Sequence, residues 1–268
     1  MSIKEVGVNK MDYNRLAELL FPHINTTPEE IEARYPKRTL PEGAKVTRMG
    51  PSPTGFMHLG NLYGALVDER LAHQSGGVFY LRIEDTDKKR EVEGGVRTII
   101  EVFRAFGLNF DEGATLDGDN GAYGPYRQSQ RAEIYQTFVK SLVQRGMAYP
   151  CFCTEEELAA AHAKQEANKE NFGYYGKYAV WRDRPMEDIE AELNKGTPYV
   201  VRFRSEGSIE NKIRHEDLVK GKMEVTENDQ DIVILKSDGI PTYLFAHVVE
   251  DNLMGTTVVV RGEEWLAT

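Results

Sequence analysis

At 268 residues, with 40% hydrophobic and 28% charged residues and a mean hydropathy of -0.50, the chain can bury one large core, or a core with an inserted smaller domain. A net charge of -10 and a pI near 5.2 argue against a general coat for DNA or RNA, since such binding rests on neutralising many phosphates. No apolar run approaches the roughly 20 residues needed to cross a bilayer. The N-terminus, MSIKEVGVNKMDYNR, lacks the apolar stretch and cleavage site of an export signal. A cytoplasmic protein with no membrane or DNA partner is expected. Two cysteines one residue apart, Cys151 and Cys153, give no disulfide framework.

In chain order, Asp12 is placed to cap a short amphipathic helix carrying Leu16, Leu19 and Leu20, ended by Pro22. Thr27, Pro28, Glu29 and Glu30 start a second helix, because Thr caps, Pro suits the first turn and acids suit the dipole. Residues 46–49 suit a buried strand end. The run Gly50, Pro51, Ser52, Pro53, Thr54, Gly55 that follows can be neither strand nor helix, so it is a shaped loop. From Leu59 the apolar residues Leu62, Ala65, Leu66, Leu71 and Ala72 recur at helical spacing, and Gly76-Gly77 stops the helix before a strand over 78–83. This βαβ unit puts the loop at the carboxyl end of its first strand, where helix N–H groups receive phosphate. Gly55 and Gly60 permit close approach of backbone to a ligand, and His58 can donate to a phosphoryl oxygen as charge develops.

Further along, a helix is predicted over 92–106, a strand over 108–110, a Gly-rich loop made of 111–113 and 117–124, and a helix over 134–142. Thr154 with Glu157 forms a capping box for a charged helix over 155–168. A helix over 185–196 and short strands over 199–204, 223–225 and 232–235 follow, and residues 243–249 and 257–260 read as strands or strand ends. The basic residues Lys88, Lys89 and Arg90, or Arg127 with Arg131, could form a local strip against a nucleic-acid backbone, although such strips are more often solvated faces.

The string PSPTGFMHLGN (51–61) resembles the first signature of class I aminoacyl-tRNA synthetases. LRIEDTD (81–87), GPYRQSQR (124–131), LKSDGIPTYLFAHVVEDNLMG (235–255) and VVRGEEW (259–265) narrow the resemblance to the glutamyl-tRNA synthetase branch. It implies an α/β class I Rossmann-like nucleotide-binding fold with a parallel sheet. Residues 46–149 and 237–268 would be its two halves, 150–236 an inserted α+β domain binding the tRNA acceptor end, and 1–45 an N-terminal helical extension. It also implies that L-glutamate is activated by ATP, with Mg2+, to glutamyl-adenylate and transferred to the 3′ end of tRNA(Glu).

Carried over by motif, His58, Gly60 and Asn61 would be catalytic, and Pro51, Thr54, Gly55, His58, Gly60, Glu264 and Trp265 would hold ATP. Arg48, Gly50, Ser52, Glu84, Tyr243 and Arg261 would bind glutamate. Relatives usually have Ala where Gly50 stands, a change expected to alter the pocket little. Some relatives use a Cys-x-Cys pair for zinc, but their later ligand positions fall on Tyr178 and Val180 here. Tyr174 is the one stand-in, His162 lies on a polar helix, and zinc is not expected. The second signature, a Lys-x-Ser-Lys loop, and a helical anticodon-binding region are absent from the sequence, which is read as a truncated piece. The alternatives are a shortened enzyme that glutamylates a modified tRNA base, and a catalytically incomplete tRNA- or nucleotide-binding fragment.

Overall fold

The structure, a computed structural model, describes residues 11–87 and 89–262. In chain order it contains α1 (Tyr13–Leu20), α2 (Pro28–Arg34), β1 (Val46–Met49), α3 (Leu59–Gln74), β2 (Val78–Leu81), α4 (Gly95–Ala105), β3 (Glu112–Thr115) and β4 (Gly118–Asn120). Then come α5 (Ala132–Gln144), β5 (Ala148–Cys151), α6 (Glu155–Asn168), α7 (Met186–Asn194), β6 (Val200–Phe203), β7 (Lys212–Asp217), β8 (Gly221–Thr226), β9 (Val233–Leu235) and α8 (Tyr243–Leu253). The chain divides into two compact units, residues 26–135 with 243–268, and residues 1–25 with 136–242.

The first unit is a mixed α/β fold around a sheet of order β1-β2-β3-β4, in which β1, β2 and β3 are parallel and β4 is antiparallel. Phe79, Tyr80 and Leu81 of the inner strand β2 are buried, and Phe79 and Leu81 contribute roughly 1.5–3 kcal/mol each by leaving water. Ala65 and Ala72 of α3 and Ile99, Ile100 and Phe103 of α4 join the same core. The predicted βαβ unit is present. The residues before β1 are fastened to it: the Arg38 guanidinium donates to both Glu112 oxygens (2.7 and 2.8 Å) and to the Met254 carbonyl (2.8 Å), and lies over the Tyr123 ring.

Four expectations are corrected in this unit. Residues 108–110 are not a strand, because Gly107 and Leu108 donate back to Arg104 and Phe103 to close α4, and pairing with β2 resumes only at Asp111. The Gly-rich stretch is not all loop: Gly113 belongs to β3, at φ 133°, where a Cβ would meet the Leu81 carbonyl oxygen at 2.4 Å, and Gly118–Asn120 folds back on it. Residues 243–249 are helix rather than strand. Ala246, Val249, Glu250 and Leu253 bury one face of α8 at helical spacing, but the sequence hid this stripe by placing His247 and Glu250 in it among β-favouring Tyr, Phe and Val. Residues 257–260 are also no strand, although the Thr257 and Val258 amides both donate to the Val46 carbonyl.

In the second unit, β5, β6 and β9 form an antiparallel sheet and β7 with β8 a separate ribbon. Neither β5 nor β7 was foreseen: Pro150 interrupts the first, and the second, KIRHED, has no buried face. Asp12 caps α1 through the Arg15 amide, and Thr154 with Glu157 forms the expected box at α6. Lys140 donates to the Phe21 and Ile24 carbonyls just past α1, so the helix end is held by a buried cation.

Candidate active site

The loop after β1 is tied to the continuation of β2. Arg82 N donates to the Met49 carbonyl (3.0 Å) and Glu84 N to the Pro51 carbonyl (3.1 Å). Alternation along an extended chain then sends Arg82 and Glu84 to the same side. Glu84 bounds, with α3 and α8, a cavity of about 1080 Å³ within the first unit.

Of the residues singled out in the sequence, Arg48, Gly50, Ser52, Thr54, Gly60, Asn61, Glu84, Tyr243 and Arg261 line this cavity. Pro51, Gly55 and His58 are not among its lining residues. Pro51 acts through its carbonyl, and Gly55 is open to space. His58 is exposed at the start of α3, where its amide donates to Asn61 Oδ1 (3.2 Å). A Cβ at Gly60 would lie 3.0 Å from the His58 ring, so glycine there keeps the ring's position open. Glu264, Trp265 and Lys88 lie outside the described residues. Arg90 lines the cavity and bonds Asp87. Arg131 does not belong to a surface strip: it is fully buried and donates to the Pro125 carbonyl.

Beneath the cavity lies a charge network that sequence reading largely missed. Arg82, with no exposed surface, meets Glu250 (3.0 Å), Asp251 (2.9 Å) and Glu84 (3.1 Å). Arg48 donates to both Asp251 oxygens (3.0 and 3.2 Å) and to His247 Nδ1 (2.9 Å). Glu250 also accepts from Tyr135 Oη and Gln128 Nε2 and contacts Arg131. Burial alone would raise the Glu84 carboxyl, but the hydrogen bond with His247 and the nearby Arg82 and Arg48 charges outweigh it and hold it below the usual range. For Asp251 burial is likewise overcome, by Arg82 and Arg48, and its carboxyl falls to about 2.

Asp68 behaves in the opposite way. It is 2% exposed on α3, its Oδ1 has no partner among the described residues, and burial pushes its carboxyl up to about 8 against the pull of Arg48. Near neutral pH Asp68 therefore holds a proton. The cations Arg48, Arg82 and Arg131 then stand against the anions Glu84, Glu250 and Asp251 in a balanced set. A further carboxylate entering the cavity needs a further cation, and Arg261 is on the wall.

The structure also changes the reading of Gly50. A Cβ there would sit 2.1 Å from Glu84 Oε1, so alanine would not leave the pocket as it is. The side chain of Glu84 occupies that space.

Elsewhere, in the second unit, the Tyr174 hydroxyl stands beside both thiols, 3.4 Å from Cys151 Sγ and 3.6 Å from Cys153 Sγ, and accepts from Trp181 N. Tyr178 instead bonds Glu170, and His162 sits edge-on to Phe172. Among the described residues no group of three or more His, Cys, Asp or Glu could hold a metal, so two thiols and a phenol are the donors present. No helix among them is long and apolar enough to cross a membrane.

Comparison with known proteins fits this geometry. The family model for the catalytic domain of class I tRNA synthetases (E and Q) matches residues 45–268. The chain is 58% identical over 259 residues to a glutamate–tRNA ligase of Acetivibrio thermocellus and 53% identical over 259 residues to one of Clostridium perfringens. In each case this is 96% of this chain and 47% of the relative. A crystal structure of a glutamate tRNA ligase from Elizabethkingia meningosepticum, in complex with its amino acid, superimposes with a TM-score of 0.73 at 39% identity, over 83% of this chain and 44% of that one. The chain thus spans just under half the length of these relatives. With the Rossmann-like βαβ unit and the signature loop in place, it belongs to the family of class I tRNA synthetase (E and Q) catalytic domains.

Proposed function

We propose that the cavity takes L-glutamate and ATP, and that the chain is the catalytic part of a cytoplasmic glutamate–tRNA ligase. In this reading the amino-acid carboxylate attacks the α-phosphorus of ATP, which enters with Mg2+. Glutamyl-adenylate forms with loss of pyrophosphate, and the glutamyl group passes to the 3′ end of tRNA(Glu). His58 and the amides at the start of α3 take the charge that develops on the phosphate. Glu84 receives the substrate ammonium, beside Ser52 and the backbone at Gly50. Arg48, Tyr243 and Arg261 take the γ-carboxylate, while Thr54, Gly60 and Asn61 border the phosphate path and Glu264 and Trp265 face the nucleotide. Residues 150–236 bind the acceptor end.

The observation that carries this reading is one cavity walled at once by Arg48 and Arg261, by Glu84, and by the loop and first turn of α3. An amino acid with an acidic side chain, joined to a phosphate, meets a complementary group at each end. The test is a titration of the chain with a non-hydrolysable sulfamoyl analogue of glutamyl-adenylate, against the glutaminyl and aspartyl analogues. Saturable one-to-one binding with preference for the glutamyl compound is expected. Equal affinity for all three, or none, overturns the reading.

A further inference from the structure

The donors of Arg48 are mostly taken before any substrate arrives. Its Nε and Nη2 hold the two oxygens of Asp251, and Nη2 also reaches His247 Nδ1. Nη1 is left with no hydrogen bond among the described residues, on a side chain that lines the cavity. His247 is fixed just as closely. A guanidinium has no acceptor, so the ring nitrogen facing Arg48 and Arg82 (2.9 and 3.3 Å) must itself accept. The ring proton is therefore on Nε2, which donates to Glu84 Oε2 at 3.2 Å. Arg82 Nη2 holds the other Glu84 oxygen at 3.1 Å. One imidazole thus joins the arginine at one end of the pocket to the carboxylate at the other.

From this we infer that His247 and Asp251, one turn apart on α8, are positioning residues that set Arg48 and Glu84 and thereby make the pocket choose a carboxylate over an amide. The inference rests on the amino-acid reading of the cavity given above. Asp251 locks the plane of Arg48, so the remaining edge offers donors in one direction only. A γ-carboxylate satisfies that edge with either oxygen, whereas a γ-amide does so only when its oxygen faces it, and its nitrogen then has to find acceptors elsewhere. A guanidinium free to turn would lose that bias. At the other end, Glu84 reaches His247 through the space left by Gly50.

The test compares glutamyl and glutaminyl sulfamoyl-adenosine analogues, titrated calorimetrically into the chain and its variants, with thermal melts to confirm folding. His247→Asn keeps an acceptor and a donor, and should hold the glutamyl-to-glutaminyl affinity ratio within about threefold of the parent. His247→Leu keeps the bulk and loses both roles, and Asp251→Asn loses one charged oxygen. Each should lower the ratio about tenfold. Gly50→Ala should weaken both analogues alike and leave the ratio unchanged, because it disturbs Glu84 and the ammonium end they share. A folded His247→Leu with the parent ratio, or His247→Asn failing as badly as His247→Leu, overturns the inference while the amino-acid reading stands. Should His247→Leu not fold, an unchanged ratio in Asp251→Asn does the same. A parent chain that binds neither analogue overturns both.

Discussion

Each unit is built around a buried carboxylate that gathers arginines, and the two differ in what is left over. In the second unit Asp231, fully buried, accepts from Tyr149 Oη (2.5 Å), Arg182 Nη1 (2.6 Å) and Ser205 N (2.9 Å). Its own carbonyl accepts from Arg202. Those contacts tie β5, β6 and the chain entering β9 together, and the carboxylate has no exposed surface for a ligand. In the first unit Glu250 is as fully buried, but the network extends to a cavity where, among the described residues, Asp68 Oδ1 has no partner and Arg48 keeps an unused donor. A closed polar network holds a fold. One that stops at a wall with hydrogen-bonding capacity to spare can receive a substrate.

The largest effects should come from removing the centre of either network. Arg82→Ala leaves Glu84, Glu250 and Asp251 close together without their shared cation, and should cost on the order of 4–5 kcal/mol in urea unfolding at pH 7. Asp231→Ala should cost about 3 kcal/mol by leaving Arg182 without its partner and Tyr149 without its acceptor. The pH response separates the two. In the parent, the depressed Asp251 contributes stability that is present above its unfolded value of 3.8 and lost as pH falls toward about 2. In Arg82→Ala the acids repel one another, so stability should instead rise as pH is lowered from 7 to 5. Asp231→Ala should show no such gain.

Next in size are the arginines of the cavity. Arg48→Ala and Arg261→Ala should each reduce the preference for the glutamyl over the glutaminyl analogue by about 30-fold, the loss of one charge-assisted contact. Neither should alter ATP binding by more than about threefold. An unchanged preference in both variants would remove them from the specificity role.

Asp68 gives a smaller, pH-dependent effect. Its folded value lies above the unfolded 3.8, so its penalty is absent below pH 3.8, grows between pH 3.8 and about 8, and is complete above that. Asp68→Asn keeps the shape without the charge and should stabilise the chain by about 2 kcal/mol at pH 9 and little at pH 4. Equal melting temperatures of parent and variant at pH 9 would show that the carboxyl is solvated.

Much of the fold was legible in the sequence, little of either network was, and the omissions have physical reasons. Helix caps at Asp12, Thr27 and Thr154 are local, so short-range rules found them. The loop 50–55 and the α3 start announced themselves by Pro and Gly. The partners of Arg48 did not, because Asp251 and His247 stand about 200 positions away, His247 on a segment taken for strand and Asp251 just past it. Read as a helix, that segment would have shown His247 and Asp251 at i and i+4, facing one direction. Arg82 could have been found from alternation, since it sits two residues before Glu84 and shares its side. The conflict between a Cβ at Gly50 and Glu84 is a contact across 34 positions, and only coordinates show it.

The smallest expected effect tests whether charge pairing by itself carries any of this. On the exposed β7–β8 ribbon, Arg214 Nε lies 2.7 Å from Glu224 Oε1, as short as any ion pair in the buried networks except Arg182 with Asp231. Their side chains are 83% and 52% exposed. Water screens such a pair almost completely, and holding two long side chains in one geometry opposes the little that remains. Cross-strand neighbours on a two-stranded ribbon also have no core beneath them to make the loss felt, and the KIRHED face of β7 is exposed along nearly its whole length. Arg214→Ala, Glu224→Ala and the double variant should therefore all melt within about 1 °C of the parent, in low and high salt alike. A drop of about 4 °C or more in either single variant, recovered in the double, would mean that the exposed pair behaves like a buried one, and that desolvation is not what separates the two networks from the ribbon.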